Sequence, residues 1–290
     1  MKKFLALCLA MCMILCLSAT AASVEFTDKG DIFNSEEASM LTSLGIIQGF
    51  PDGKFRPNDG VTRAQLAKMI YYMQNGIMDK SEDLAASYTG NEFSDVQGHW
   101  ASGYIYYCTR KGIISGYTDG TFKPDRNVSA TEAAKMLLVS LGYEESNYIG
   151  SNWLSNTHFD AAVAGITTGY NNHMTDTLNR DNAALFIYNT LFSTIISGEN
   201  SGKTLIQTGY GAKRYTAVVI ANEAAALEGA ICAKGLTRVR TIGDDVQVIT
   251  LNESSTIAEL GHSYAIYVTA DVDENGNHDL YGGFFTTPDD

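Results

Sequence analysis

The sequence predicts an α+β protein of more than one domain: an all-α bundle built from three repeats, followed by a small β-rich domain. Three observations predict it. The stretch "GIIQGFPDGKFRPNDGVTRAQLAKMI" at 45–70 returns without a gap 67 residues later as "GIISGYTDGTFKPDRNVSATEAAKML" at 112–137, and self-similarity at a fixed period marks a repeat architecture. After the turn in each copy, apolar residues fall at i, i+3, i+4 and i+7, one face of a helix. From about residue 203 the apolar residues instead come in short β-branched runs, several of them alternating.

The 290 residues suffice for one large domain or two to three small ones. The first 21 read as a secretory signal peptide: Lys2 and Lys3, an apolar run from Phe4 to Leu17, then Ala19-Thr20-Ala21. The run is short for a membrane span. Cys8, Cys12 and Cys16 follow Leu7, Met11 and Leu15, where lipidation requires a small residue, so the segment is expected to be cleaved and not lipidated. Cys108 and Cys232 then remain, which is no disulfide framework. Cys108 lies in an apolar helical run and is expected to be buried as a small hydrophobe.

The first repeat spans 24–85 and the second 91–145. "FTD" at 26–28 pairs with "FSD" at 93–95, and Phe33 falls opposite Trp100. A third, degenerate repeat spans 148–196. Trp153, Gly165, Gly169 and Tyr170 match the second copy at an offset of 53; the turn then loses three residues and its DG pair, and "LNRDNAALFI" matches at an offset of 50. Each unit reads as helix, turn, helix. Capping boxes at Thr62/Gln65 and Ser129/Glu132 start the second helices, and Asn179 is the third N-cap. The core stripes are Leu66, Met69, Ile70 and Met73; Ala133, Met136, Leu137 and Ser140; and Ala183, Phe186, Ile187 and Thr190. Asp52-Gly53 and Asp119-Gly120 form tight turns in which glycine supplies a positive φ. A single helix pair cannot bury its stripe; three together can.

These residues resemble the S-layer homology (SLH) module. The resemblance rests on "FSDVQGHWASGYI", the G-F/Y-x-D-G turns at 49–53 and 116–120, and "TRAQLAKMI" at 62–70. It covers roughly residues 24–192. It implies a three-module helical bundle with pseudo-threefold symmetry. Grooves between its modules would bind an anionic, often pyruvylated, secondary cell-wall polysaccharide or other peptidoglycan-linked glycan of a bacterium. In the family the arginine of the T-R-A-E motif is a principal ligand, helped by the tryptophan of H-W-A and by backbone near the turn. Carried over, the ligand-binding positions are Arg63, Arg180, Trp100, Trp153, Phe33, Gly49, Gly116 and Gly169. The second copy has Ala130 where the first has Arg63, which puts that groove in doubt.

The residue types fit this role on their own. Arg63 and Arg180 occupy the first helical position, and a cation at the positive end of a helix costs about half a kcal/mol unless an anion is present. Free N–H groups plus a guanidinium would then make a carboxylate or phosphate site. Trp100 and Trp153 offer a flat apolar face to a sugar ring; core packing is the competing reading. Solvated surface charge competes for the arginines. Gly49, Gly116 and Gly169 read first as turn residues.

After the polar segment "SGENSGK" (197–203), the 203–290 domain is predicted to hold strands at 214–221, 236–242, 245–251 and 263–270, with a hairpin turn at Gly243-Asp244. "DVDENG" at 271–276 has the opening letters of an EF-hand loop, but position twelve is Gly282 where a bidentate acid belongs; a β-turn explains the same letters. The abrupt end at "FFTTPDD" reads as a truncation.

The formal charge of −13 and pI near 4.7 exclude binding of nucleic acid or an anionic membrane through bulk charge. The five histidines have no ligand spacing. Nucleophile-elbow, zincin, Walker and C-x-x-C motifs are all lacking, so no enzyme, cofactor or metal is expected. The expected protein is secreted and held non-covalently at the cell wall, with self-association in a surface layer as a further partner. The alternatives are an adhesin, or a wall-attached glycan-active enzyme whose catalytic part is missing or sits unrecognised in the β region.

Overall fold

The computed structural model describes residues 26–76, 79–89, 92–254 and 258–286. The signal-peptide reading of 1–21 lies outside them. Among the described residues eight α-helices precede an antiparallel sheet, so the fold is mixed α+β. The helices are α1 (Ser35–Ser43), α2 (Arg63–Asn75), α3 (Ser81–Ala86), α4 (Ser102–Arg110), α5 (Ala130–Ser140), α6 (Trp153–Val163), α7 (Arg180–Phe192) and α8 (Leu205–Tyr210). Among the described residues no helix is long and apolar enough to cross a membrane.

Three helix pairs, α1/α2, α4/α5 and α6/α7, carry the repeats. All twelve stripe residues named above are buried. The caps form as the side chains dictate: Gln65 N–H donates to Thr62 Oγ1 at 3.2 Å, Glu132 N–H to Ser129 Oγ at 3.2 Å and Asn182 N–H to Asn179 Oδ1 at 2.9 Å.

The segments just before α2, α5 and α7 meet at the centre. Val61 N–H donates to Leu178 O, Leu178 N–H to Val128 O and Val128 N–H to Val61 O, each at 2.9 Å. These are the same position in the three copies, and the three bonds close a ring. The next donors repeat the pattern. Arg63, Ala130 and Arg180 donate N–H to Arg126, Asp176 and Asp59 O; Ala64, Thr131 and Asp181 donate to Pro124, Met174 and Pro57 O. Each second helix is therefore capped by backbone from the next pair, which satisfies groups a lone helix leaves orphaned.

The "FTD/FSD" motif also has a structural reason. Asp28 accepts from Phe55 and Arg56 N–H, and Asp95 from Phe122 and Lys123 N–H, all at 2.8 Å. These bonds hold Arg56 and Lys123 at φ +58° and +56°, the left-handed region that side chains avoid. Gly53 and Gly120 supply the positive φ expected of the turns. Gly49 and Gly116 do not. Their lack of a side chain instead admits the Phe26 and Phe93 rings, which a methyl would overlap.

The polar 197–203 segment is a closed hairpin and not an open linker: Ile195 N–H donates to Lys203 O at 2.8 Å and Ser197 Oγ to Gly142 O at 2.7 Å. It returns α8 to the bundle, where Leu205 and Ile206 join the helical core and Tyr210 Oη donates to Tyr72 O at 2.8 Å.

The sheet runs β3-β2-β1-β4-β5, with β1 (Lys213–Ala221), β2 (Thr237–Ile242), β3 (Val248–Leu251), β4 (Ser263–Val268) and β5 (Phe285–Thr286). The third strand starts later than expected, because Thr241 Oγ1 bonds Asp245 O and Gln247 N–H and diverts 243–247 into the turn. The segment after β4 closes the sheet. His278 exchanges bonds with Thr250 and Asn252 beside β3, while Asp279 and Tyr281 bond Thr269 and Tyr267 beside β4. The return thereby pairs the β3 edge and the end of β4 beyond β5, and a paired edge is no template for aggregation. The "DVDENG" stretch is the turn of this return, with Asp273 Oδ1 accepting from Asn275 and Asn277 N–H. The barrel rests on α7 through Phe192, whose ring lies 5.2 Å from Tyr267 and 4.7 Å from Phe285.

Candidate functional site

The two arginines occupy equivalent places and make equivalent contacts. Arg63 Nε donates to Phe122 O at 2.8 Å and its Nη2 to Ser115 O at 3.0 Å; Arg180 donates to Phe55 O and Gln48 O at the same two distances. Phe122 and Ser115 are one repeat on from Phe55 and Gln48. Each guanidinium lies over two rings, Tyr117 and Phe122 for Arg63, Phe50 and Phe55 for Arg180. They are 6% and 4% exposed, and burial pushes both pKa values down. Arginine stays charged regardless. Each thus crosses from its own helix to brace the turn of the next pair.

This corrects one sequence expectation. The α2 and α7 N-termini present no free N–H groups at their first three helical positions: two donate to neighbouring carbonyls and the third to the N-cap side chain. The positive end of the helix is filled by protein, so any anion must be met by side chains.

Two clefts open beside the braces. The larger, about 560 Å³, is lined by Arg63, Ser115, Gly116, Tyr117, Lys135 and Trp153, among others. It draws on all three helix pairs. The second, about 470 Å³, is lined by Lys68, Asp79, Lys80, Trp100 and Tyr104, among others. Lys68 Nζ donates to Gln48 Oε1 at 3.3 Å, beside the Gln48 carbonyl that Arg180 braces. Lys68 and Lys135 are one repeat apart, and Trp100 and Trp153 are equivalents. Both clefts therefore set lysine and tryptophan together; the braced turn lines the larger, and in the smaller it is reached through the Lys68–Gln48 bond.

Asp79 fastens the floor of the smaller cleft. It accepts from Tyr72 Oη at 2.6 Å, Ser81 N–H at 2.8 Å and Tyr104 Oη at 3.0 Å. Burial raises its pKa, but these hydrogen bonds outweigh that and leave it at about 2. Burial lowers the pKa of Lys68, and the Asp79 charge counters it.

At the third equivalent position the constellation is lost. Ala130 stands for the arginine and is fully buried. Leu185 replaces the lysine, and its methyls lie 3.6–3.7 Å from where a Gly169 side chain would start. Phe33, in the tryptophan position, is 86% exposed. The turn that an arginine at 130 would brace is the one that lost three residues. His158 Nε2 and Met174 O meet Thr131 Oγ1 there, each at 2.8 Å.

Arg63, Gly116 and Trp153 are thus brought into one cleft. Trp100 stands 56% exposed in the other, near Gly49 and Arg180 through Gln48, whereas Gly169 and Phe33 belong to the third position. Sequence reading missed Lys68 and Lys135. Their signal was the shared "AKM" in both copies, a lysine kept at the same place on otherwise apolar helices.

Fold and clefts together define a helical-repeat protein with a sheet domain. The family model for the S-layer homology domain matches residues 25–67 and 92–134, so the chain carries two S-layer homology domains. It is 34% identical over 101 residues to Cell surface glycoprotein 1 of Acetivibrio thermocellus, covering 34% of this chain and 4% of that protein. It is 31% identical over 123 residues to the Cellulosome-anchoring protein of the same organism, covering 41% and 26%. It is 27% identical over 176 residues to the Surface layer protein of Brevibacillus choshinensis, covering 59% and 15%. The matched region spans about a quarter or less of each relative's length. The domains and these relatives support anchoring, and they give the chain a secreted, cell-wall or cell-surface location.

Proposed function

We propose that residues 148–196 are a third, degenerate S-layer homology module, and that the three modules form a pseudo-threefold bundle that binds an anionic secondary cell-wall polysaccharide. The closed ring of Val61, Val128 and Leu178 supports the symmetry. The recurrence of a lysine and a tryptophan in two clefts carries the binding reading: Lys68 and Trp100 in the smaller, Lys135 and Trp153 beside Arg63 in the larger, with Arg180 bracing Gln48, the partner of Lys68. Lysine meets an acidic group such as a pyruvyl carboxylate, and the indole covers a sugar face. The arginine holds the turn whose backbone lines the cleft. The third position is structural, and loss of its arginine, lysine and turn is one correlated loss. The barrel serves as spacer, and the chain acts as an anchor and not as an enzyme.

The test is sedimentation of the mature chain with purified cell-wall sacculi, before and after extraction of the secondary polymer. Binding is expected only where polymer is present, and the double variant Trp100→Ala/Trp153→Ala is expected to weaken it by at least about tenfold, or ~1.4 kcal/mol. Equal sedimentation with extracted sacculi would overturn the polymer reading. Trp and Lys variants suit this test better than arginine variants, which also remove a fold brace.

A further inference from the structure

The lysines of the two clefts are partnered differently. In the larger cleft a carboxylate of the chain itself lies on the lysine: Glu145 Oε1 is 3.2 Å from Lys135 Nζ and accepts from Ser115 Oγ at 2.8 Å. Glu145 lies on the short 3-10 turn Glu145–Tyr148 between α5 and α6, outside the repeated sentences. Both partners are cleft-lining residues, and Ser115 also gives its carbonyl to Arg63. The capping-box acid Glu132, also on this cleft, is already paired with Arg126 and with Ser129 N–H. In the smaller cleft Lys68 meets the neutral amide of Gln48, and Gln65 stands where Glu132 stands. Asp79, Glu82 and Asp83 also line that cleft, and Asp79 is held by two tyrosine hydroxyls and the Ser81 amide.

We infer that Glu145 is an internal competitor, a carboxylate that occupies the anion position of the larger cleft and holds the acidic group of a bound glycan off Lys135. The inference rests on the anchoring reading for its ligand, but its geometry stands apart from it. A half-exposed ion pair of this kind is weak, worth about 0–1 kcal/mol. It competes nonetheless, because a group tethered a few residues from its site acts at an effective concentration on the order of millimolar or above. Like charges brought together in a cleft repel, so an incoming carboxylate or phosphate must displace Glu145 before it reaches Lys135. With Glu145 in place, the larger cleft offers a tryptophan face and neutral hydrogen-bonding groups, which suits an uncharged sugar of the same polymer.

Two tryptophans make the test direct, since Trp100→Phe leaves Trp153 as the sole indole and the reporter of the larger cleft. In that background the full mature chain is titrated with inorganic phosphate and Trp153 emission is followed. Glu145→Gln is expected to lower the apparent Kd for phosphate by about tenfold or more, and adding Lys135→Met to abolish the gain. An unchanged titration on Glu145→Gln overturns the inference, as does a gain that survives Lys135→Met. Sedimentation on polymer-bearing sacculi then separates the two readings. A parent that binds only with polymer, and a Glu145→Gln variant that binds no more tightly, would leave anchoring intact and remove the competitor. A parent that ignores the polymer while phosphate still responds to Glu145→Gln would remove the polysaccharide and keep the competitor.

Discussion

Replacing Arg63 by alanine tests whether the conserved-looking cation of the repeat is a brace or a free ligand group. The substitution removes two hydrogen bonds. The acceptor on Phe122 belongs to a fully buried residue, and leaving it without a donor costs about 1–3 kcal/mol. The acceptor on exposed Ser115 turns to water at little cost. Loss of the cation over the Tyr117 and Phe122 rings adds about 1 kcal/mol. Relief of the buried charge returns part of this, so the net loss is about 2–3 kcal/mol. With m of about 5 kcal/mol/M in guanidinium chloride, the midpoint of the helical transition falls by roughly 0.5 M. Far-UV circular dichroism of the mature chain reads it. Arg180→Ala should match it, because its contacts are the same two. Lysine at position 63 should recover little, since one ammonium cannot reproduce the planar fork. An unchanged midpoint in Arg63→Ala would refute the brace, and would return the arginine to the role of a ligand held ready in the cleft.

Ala130→Arg should not restore a third cleft: a guanidinium placed there finds no matching turn, and overpacking plus an unpaired buried charge should cost about 3 kcal/mol or more; a neutral result by the same denaturation assay would break the correlated-loss account. Gly116→Ala forces a methyl into the Phe93 ring and should cost about 1–3 kcal/mol, visible as a lowered midpoint and absent if the ring can swing aside. The Asp79 carboxyl is held below its ordinary 3.8, at about 2, so its stabilisation is complete above pH 4 and is lost as pH falls through 2. The stability gap between the parent and Asp79→Asn should therefore narrow from pH 4 downward, and a gap that is constant with pH would show that the carboxylate charge is not what matters.

By itself the sequence determined the repeats, their phases and their caps. The reason is that these are local matters. Stripe residues such as Leu66, Leu137 and Ile187 follow a 3.6-residue period, and Thr62, Ser129 and Asn179 cap their own helices. It also determined the strands, which are bounded by turn chemistry, and the DG turns, where Gly53 and Gly120 take a positive φ. What it could not determine was which chemistry the repeated residues meet. Arg63 sits 52 and 59 residues from the carbonyls it binds, and Arg180 sits 125 and 132 residues from its own. No local signal carries that, so an arginine at a helix start read as an anion site when its helix end was already filled by the neighbouring repeat. The glycines misled in the same way: Gly116 is required by a ring 23 residues before it and not by its own φ. Lys68 and Lys135 became cleft residues only when two more repeats supplied the walls. Glu145, the last residue of the second repeat with Met78 at its place in the first, acquired its place on Lys135 only because α5, α6 and the second turn converge on it.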